Sequence, residues 1–340
     1  MLLIRKRAFA RAGLVGNPSD GYHGKTISAI VRNFHAEVTL YEWDQIELVF
    51  SQEDHSRFRS VEELVQDVDL HGYYGGIRLV KATIKKFVEY CAAQGHGLHR
   101  RNFSVRYESD VPRQVGLAGS SAIIVATLRC LMEFYGVEIP REVLPSLALA
   151  VETDELGIAA GLQDRVIQVY EGLVYMDFQR ERMRQQNGLP CGVYEPLDPA
   201  LLPPLYLAYS TQRSKPTERF HNDLRARYSQ GEPAVVRAME RLAELAVAAR
   251  EAILARDAAR LGELIDANFD LRRSVCRLPE GQVEMIERAR RAGASAGFPG
   301  SGGAIVGICP DEETFRRLRA ELEPIRCRLI RPQVLNDTHA

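Results

Sequence analysis

The chain has 340 residues, in which 44 Lys plus Arg stand against 45 Asp plus Glu, so it lacks the strongly basic footprint of a nucleic-acid binder. Apolar residues make up 46%, enough for one large or two modest cores. The six cysteines (Cys91, Cys130, Cys191, Cys276, Cys309, Cys327) form no CxxC pair, which argues against a zinc or redox motif and for reduced, mostly buried thiols.

The first seven residues do not have the pattern of a signal peptide, and no stretch approaches the ~20 apolar residues of a membrane span. A soluble, cytoplasmic protein with no membrane or nucleic-acid partner is expected. Residues 7–15 read as a strand entering a glycine-rich turn over 13–24, and 27–41 read as a second strand. Residues 51–69 are polar and read as a loop with a short helix. Ile77, Val80, Ile84, Phe87, Val88 and Cys91 recur at helical spacing over 76–93. Phe103, Val105 and Tyr107 alternate with polar residues, as in a strand.

A glycine- and serine-rich turn over 116–121 then runs into an apolar helix through Tyr135, and a further helix is expected over 141–155. Residues 172–177 read as a strand. Residues 180–204 are polar and irregular, and read as a linker between two lobes, dividing the chain into 1–195 and 196–340. Beyond it come a strand over 205–209, helices over 232–274 broken near Asp257, and a glycine-rich turn over 297–303. A strand over 304–309 and a surface helix over 316–323 complete the pattern. The mixed order of strands and helices points to an α+β fold.

The turn Gly116-Leu117-Ala118-Gly119-Ser120-Ser121-Ala122 holds most of the chemical information. A helix N-terminus presents amides without internal partners, and the helix dipole favours negative charge there. Glycines let the main chain approach a phosphate, and serine hydroxyls can add hydrogen bonds or ligate a cation. A turn of this kind also serves simply to cap a helix. It is not a Walker A loop, because no Gly-Lys-Ser/Thr follows.

With Pro112 ahead of it, this turn resembles the second motif of the GHMP kinase superfamily, a proline followed by Gly-Leu-x-Ser-Ser-Ala. Two further segments stand where that superfamily has its other motifs. Arg11-Ala12-Gly13-Leu14-Val15-Gly16-Asn17-Pro18-Ser19-Asp20 is similar to the first, and Gly297-Phe298-Pro299-Gly300-Ser301-Gly302-Gly303 to the third. Gly16-Asn17-Pro18 departs from the usual Gly-Glu-His. That segment, Gly72-Tyr73-Tyr74-Gly75-Gly76 and Gly161-Leu162-Gln163-Asp164-Arg165 resemble the glucuronokinase branch.

The resemblance implies a two-lobed α+β GHMP kinase fold. Its N-terminal lobe is ribosomal-protein-like with a left-handed βαβ unit, and its C-terminal lobe is ferredoxin-like. ATP and Mg2+ are the implied cofactors, a sugar acid the implied acceptor, and the anomeric hydroxyl of glucuronate the implied site of phosphorylation. Galacturonate or another sugar is the rival substrate, a catalytically silent sugar- and ATP-sensing regulator is the rival class, and a homodimer is compatible with either. Asp164 matches the catalytic aspartate. Arg11 is placed near the transferred phosphoryl group, either stabilising charge or polarising Asp164. Gly116 to Ala122 would hold the triphosphate. Ser121 and Glu152 would hold the metal, since Mg2+ takes oxygen ligands and few carboxylates. Asn17, Asp20 and Gly302 fall among substrate-contacting positions. For the uronate carboxylate an arginine fork suits best, and Arg165 is the first choice ahead of Arg78 and Arg113. Tyr73, Tyr74 and Lys25 are weaker sugar candidates. Trp43 reads as core or as part of an adenine pocket.

Overall fold

The longest strand, β2 (Lys25–Trp43), organises the first half of the chain in the computed structural model, which describes residues 2–49, 75–211 and 218–335. Its run of β-branched residues, Thr26, Ile27, Ile30, Val31, Val38 and Thr39, suits a pleated surface. β1 (Leu3–Val15) pairs antiparallel along one edge, from Leu3 opposite Tyr41 to Val15 opposite Ile27, with bulges at Phe9/Ala10 and Gly13/Val15. Two strands share the other edge. β5 (Leu173–Asp177) pairs with its beginning and β4 (Asn102–Ser109) with its end. β3 (Glu47–Leu48) pairs parallel to β4, and α1 (Gly76–Ala93) lies between them in the chain, which makes a βαβ unit.

α2 (Gly119–Tyr135) packs on β1 and β2. Small side chains at Ala8 and Ala36 are fully buried, and the first core joins Val38 and Leu40 of the sheet to Phe87 of α1 and Ile124 and Leu128 of α2. α3 (Leu144–Ala150) continues into a single wide turn of π type, Val151–Glu155, and α4 (Gln163–Tyr170) follows. The helix expected over 141–155 is therefore two pieces. Such π turns recur at functional sites, and this one carries Glu152.

The segment expected to be an irregular linker contains three strands. β6 (Arg184–Gln186) and β7 (Leu189–Cys191) form a hairpin, and β8 (Val193–Leu197) extends the first sheet by pairing with β5. Residue 195 thus lies inside a paired strand. These strands are short and contain Pro190 and Pro196, so no alternating run announces them.

β9 (Leu205–Ser210) is the centre of a second, antiparallel sheet, between β10 (Ala304–Ile308) and β11 (Cys327–Ile330). α5 (Glu218–Ser229), α6 (Pro233–Leu254), α7 (Ala258–Val275), α8 (Glu280–Arg291) and α9 (Glu312–Leu322) accompany it. The expected break near Asp257 is real, because the Asp257 side chain accepts from the Arg260 amide at 2.9 Å and caps α7. A second core joins Ala12 and Val31 of the first sheet to Leu207, Leu242 and Val306, so the two sheets share buried surface.

The α+β expectation holds. Trp43 is not core: it is 42% exposed at the end of β2, its ring edge-on to Tyr41 at 5.7 Å. The loop expected over 51–69, Tyr73 and Tyr74 lie outside the described residues. Among those described, no helix is long and apolar enough to cross a membrane.

Candidate active site

Arg11 gathers the three glycine-rich turns around one side chain. It lies on β1, where strand pairing fixes its backbone, and it is 5% exposed. Its Nε donates to Asp164 Oδ1 at 2.7 Å. Its Nη1 donates to the carbonyls of Gly116 and Pro299, each at 2.6 Å. Main-chain bonds reinforce the junction, with Arg11 N on Leu117 O at 3.2 Å and Gly13 N on Pro299 O at 2.8 Å.

The turn ahead of α2 is built on a close approach of two main chains. Gly116 has φ +70°, and a Cβ placed there would lie 2.8 Å from Ser301 N and 3.1 Å from Gly302 N. Only glycine lets these two main chains meet so closely. Ala118 precedes α2 in the left-handed region, and no side chain caps the helix. The amides of Gly119, Ser120 and Ser121 form the first turn of α2, where the helix dipole favours negative charge. Ala118 O is held from both sides, by Gln168 Nε2 at 2.8 Å and Ser121 Oγ at 3.2 Å. Leu117 and Ala122 are buried and anchor the turn in the core. Gly302, expected at the substrate, sits behind Gly116 and against Gln282.

Asp164 opens α4 and its side chain is 20% exposed, which leaves it open to an incoming group. Asp20, on the turn Ser19–Tyr22, comes close to it. The approach depends on Gly161, since a Cβ there would collide with Asp20 Oδ2. Gln163 N donates to the same oxygen at 3.4 Å. Burial, and then the neighbouring Asp164 charge, raise the Asp20 pKa to about 6. Gly16 and Asn17 of the first motif are held from outside it by one side chain of α7. Asn268 Oδ1 accepts from Gly16 N at 2.7 Å, and Asn268 Nδ2 donates to Asn17 O at 3.1 Å.

Glu152 and Arg165 are placed differently from the sequence reading. Arg165 is 4% exposed, and its Nη2 is ion-paired with Glu152. Its Nη1 donates to Gly161 O at 2.7 Å and lies 3.6 Å from Asp164 Oδ2. A guanidinium committed in this way braces the turn that carries Asp164, with both Nη groups engaged inside the protein rather than held out for a sugar carboxylate. Arg78 and Arg113 are exposed. Lys25 lies 3.6 Å from Asp177.

The same atoms bear on the expected Mg2+ ligands, Glu152 and Ser121. Glu152 meets Arg165 through Oε2, and a carboxylate has acceptor sites beyond those one guanidinium nitrogen takes. The Ser121 hydroxyl keeps its lone pairs while donating to Ala118 O. Both are hard oxygen donors, which fits Mg2+.

Sequence reasoning missed Gln168, Asn268 and Arg272, all buried and all hydrogen-bonded to the glycine-rich turns. Each sits within a helix and belongs to no motif. Only a polar residue on an otherwise apolar helix face would have signalled them.

Comparison with known proteins agrees with this geometry. Residues 78–172 match the GHMP kinases N terminal domain, and residues 249–328 match the GHMP kinases C terminal domain. The chain is 42% identical to glucuronokinase 1 of Arabidopsis thaliana, covering 98% of this chain and 94% of that one. It is 44% identical to probable glucuronokinase 2 of the same plant, covering 95% and 91%. Among solved structures, Lactococcus lactis galactokinase complexed with galactose superposes with a TM-score of 0.78 at 16% identity, covering 98% and 93%. Methanococcus jannaschii mevalonate kinase gives 0.70 at 18%, covering 98% of each chain.

Proposed function

The chain belongs to the GHMP kinase family, and on that premise we propose that it is an ATP-dependent sugar 1-kinase that converts D-glucuronate to glucuronate 1-phosphate and ADP. The observation that carries this reading is the Arg11 side chain, which binds Asp164 through one nitrogen and the second- and third-motif turns through another. One residue thereby sets the distance between an acid side chain and the amides suited to a triphosphate.

In this reading Asp164 accepts the proton of the anomeric hydroxyl as its oxygen attacks the γ-phosphoryl group. That hydroxyl is more acidic than an ordinary alcohol, which suits a carboxylate base. Arg11 holds Asp164 in place and offsets charge that develops at the phosphoryl oxygens. The amides of Gly119, Ser120 and Ser121 bind phosphate, and Asp20 accepts from sugar hydroxyls beside Asp164. Ser121 and Glu152 would hold Mg2+, which when bound screens the triphosphate charge.

An ADP-release assay over uronic and neutral sugars, followed by NMR of the product, tests the reading. Turnover of D-glucuronate with phosphate on C1 is expected. Phosphate on another carbon, preference for a neutral sugar, or binding of ATP and sugar without turnover would each refute it.

A further inference from the structure

Resting on that reading, we infer that Arg272 is the residue that recognises the carboxylate of the sugar acid. Arg272 lies on α7 and is 4% exposed. Its Nη1 donates to Gly300 O at 2.8 Å, and its guanidinium lies over the Phe298 ring at 5.4 Å, so two residues of the third glycine-rich turn fix its orientation. Gly300 is also where Arg11 arrives: a Cβ there would lie 2.7 Å from Arg11 Nη1. Arg272 is thus one residue away from the side chain that holds the catalytic base.

Among the described residues no carboxylate lies within ion-pair distance of Arg272, whereas Arg11, Arg165 and Lys25 each have one. Its Nε is buried with no hydrogen-bond partner. Nε and Nη2 share one edge of the guanidinium plane, the edge that takes a carboxylate through two parallel hydrogen bonds, and the Cys276 thiol, one turn further on at the end of α7, is a weak hydrogen-bonding neighbour that a carboxylate would outcompete. A buried cation with no carboxylate in direct contact is unfavourable, and an incoming carboxylate relieves it. Burial lowers the Arg272 pKa, as does Arg11 nearby, while the Cys276 thiol, Asp20 and Tyr22 act on it in the opposite sense. Asp20, which the proposed reading sets against the sugar hydroxyls, is thus among the charges that act on Arg272. Asp20 and Arg272 form no ion pair with each other, so each keeps capacity for a ligand with hydroxyls at one end and a carboxylate at the other.

The test compares D-glucuronate with its neutral isostere D-glucuronamide in the full-length enzyme, using Arg272→Met and Arg272→Lys. The wild type should favour the acid by about 10²-fold or more in kcat/KM, the scale of two charge-assisted hydrogen bonds. Arg272→Met should lose that factor on the acid and change little on the amide, with the KM for ATP unchanged. Arg272→Lys should fall between. The acid-to-amide ratio does not depend on the folded fraction, so a purely structural role for Arg272 would lower both substrates together and leave the ratio intact. An unchanged ratio in either variant overturns the inference while leaving the kinase reading standing. If Arg272→Met does not fold, the Arg272→Lys ratio decides. A wild type that ignores uronic acids altogether refutes the kinase reading instead.

Discussion

Arg11 and Asp164, 153 residues apart in the chain, meet through an Nε–H···Oδ1 hydrogen bond of 2.7 Å. The pair links β1 to the start of α4 and fixes the carboxylate proposed as base. Asp164→Asn keeps an oxygen that can accept from Arg11 but cannot take a proton from the sugar. It should lower kcat by about 10²–10⁴, the usual range for a positioned base, with little change in the KM for ATP. Steady-state kinetics with near wild-type kcat would remove Asp164 from the mechanism.

Asp20 supplies a pH dependence. Its pKa is raised from 3.8 to about 6, first by burial and then by the Asp164 charge. A carboxyl that holds its proton more tightly when folded loses stability as it ionises. Wild-type stability should therefore fall between pH 3.8 and about 6 and level off above that. Asp20→Asn, which never ionises, should match the wild type at the acid end and exceed it above about pH 6. It should also lose sugar affinity, because an amide offers fewer acceptor sites to hydroxyls. Denaturant melts across this range check the first claim, and a difference that shrinks as pH rises would contradict it.

Much of this site was legible in the sequence because its loops are built from residues with few alternatives. Gly116 must adopt a positive φ against another main chain, and Gly161 must admit Asp20, so both segments carry visible glycine signatures. Asp164 and Arg11 stand inside or beside those segments. The helical contributors were not legible. Arg272 is one arginine among several on α7, and nothing local distinguishes a buried guanidinium from a solvated one. The setting of Arg165 was hidden for a related reason: its neighbour Asp164 marked the site, but its partner Glu152 arrives from a π turn that no periodicity reveals. The strands β6, β7 and β8 were hidden by prolines and by lengths of three to five residues.

The contact between the second and third turns gives a prediction about nucleotide binding. Gly116→Ala would place a methyl 2.8 Å from Ser301 N in a backbone conformation with φ +70°. The left-handed conformation alone costs about 1–2 kcal/mol for a residue with a Cβ. The turn should shift, and the KM for ATP should rise about tenfold or more, the equivalent of that cost. The affinity for sugar should change less. Equal effects on both substrates would mean that the turn serves the fold as a whole rather than the phosphates.

Glu152 is asked to do two things, and they can be separated. One is structural: its partner Arg165 is 4% exposed, and a buried cation that loses its anion destabilises by roughly 3–5 kcal/mol. Glu152→Met should show that loss in denaturant melts. The double variant Glu152→Met/Arg165→Met should recover most of it, because an apolar pair of similar volume replaces the ion pair without leaving a charge behind. The other, proposed role is to hold Mg2+ through the acceptor capacity that Arg165 leaves free. That role is not restored by removing Arg165, so the double variant should still need about tenfold more Mg2+ for half-maximal activity, the scale of one lost polar contact. Ser121→Ala should raise the Mg2+ requirement with a much smaller loss of stability, about 1 kcal/mol for its bond to Ala118 O, since it leaves the ion pair intact. A double variant with wild-type Mg2+ dependence would confine Glu152 to bracing Arg165.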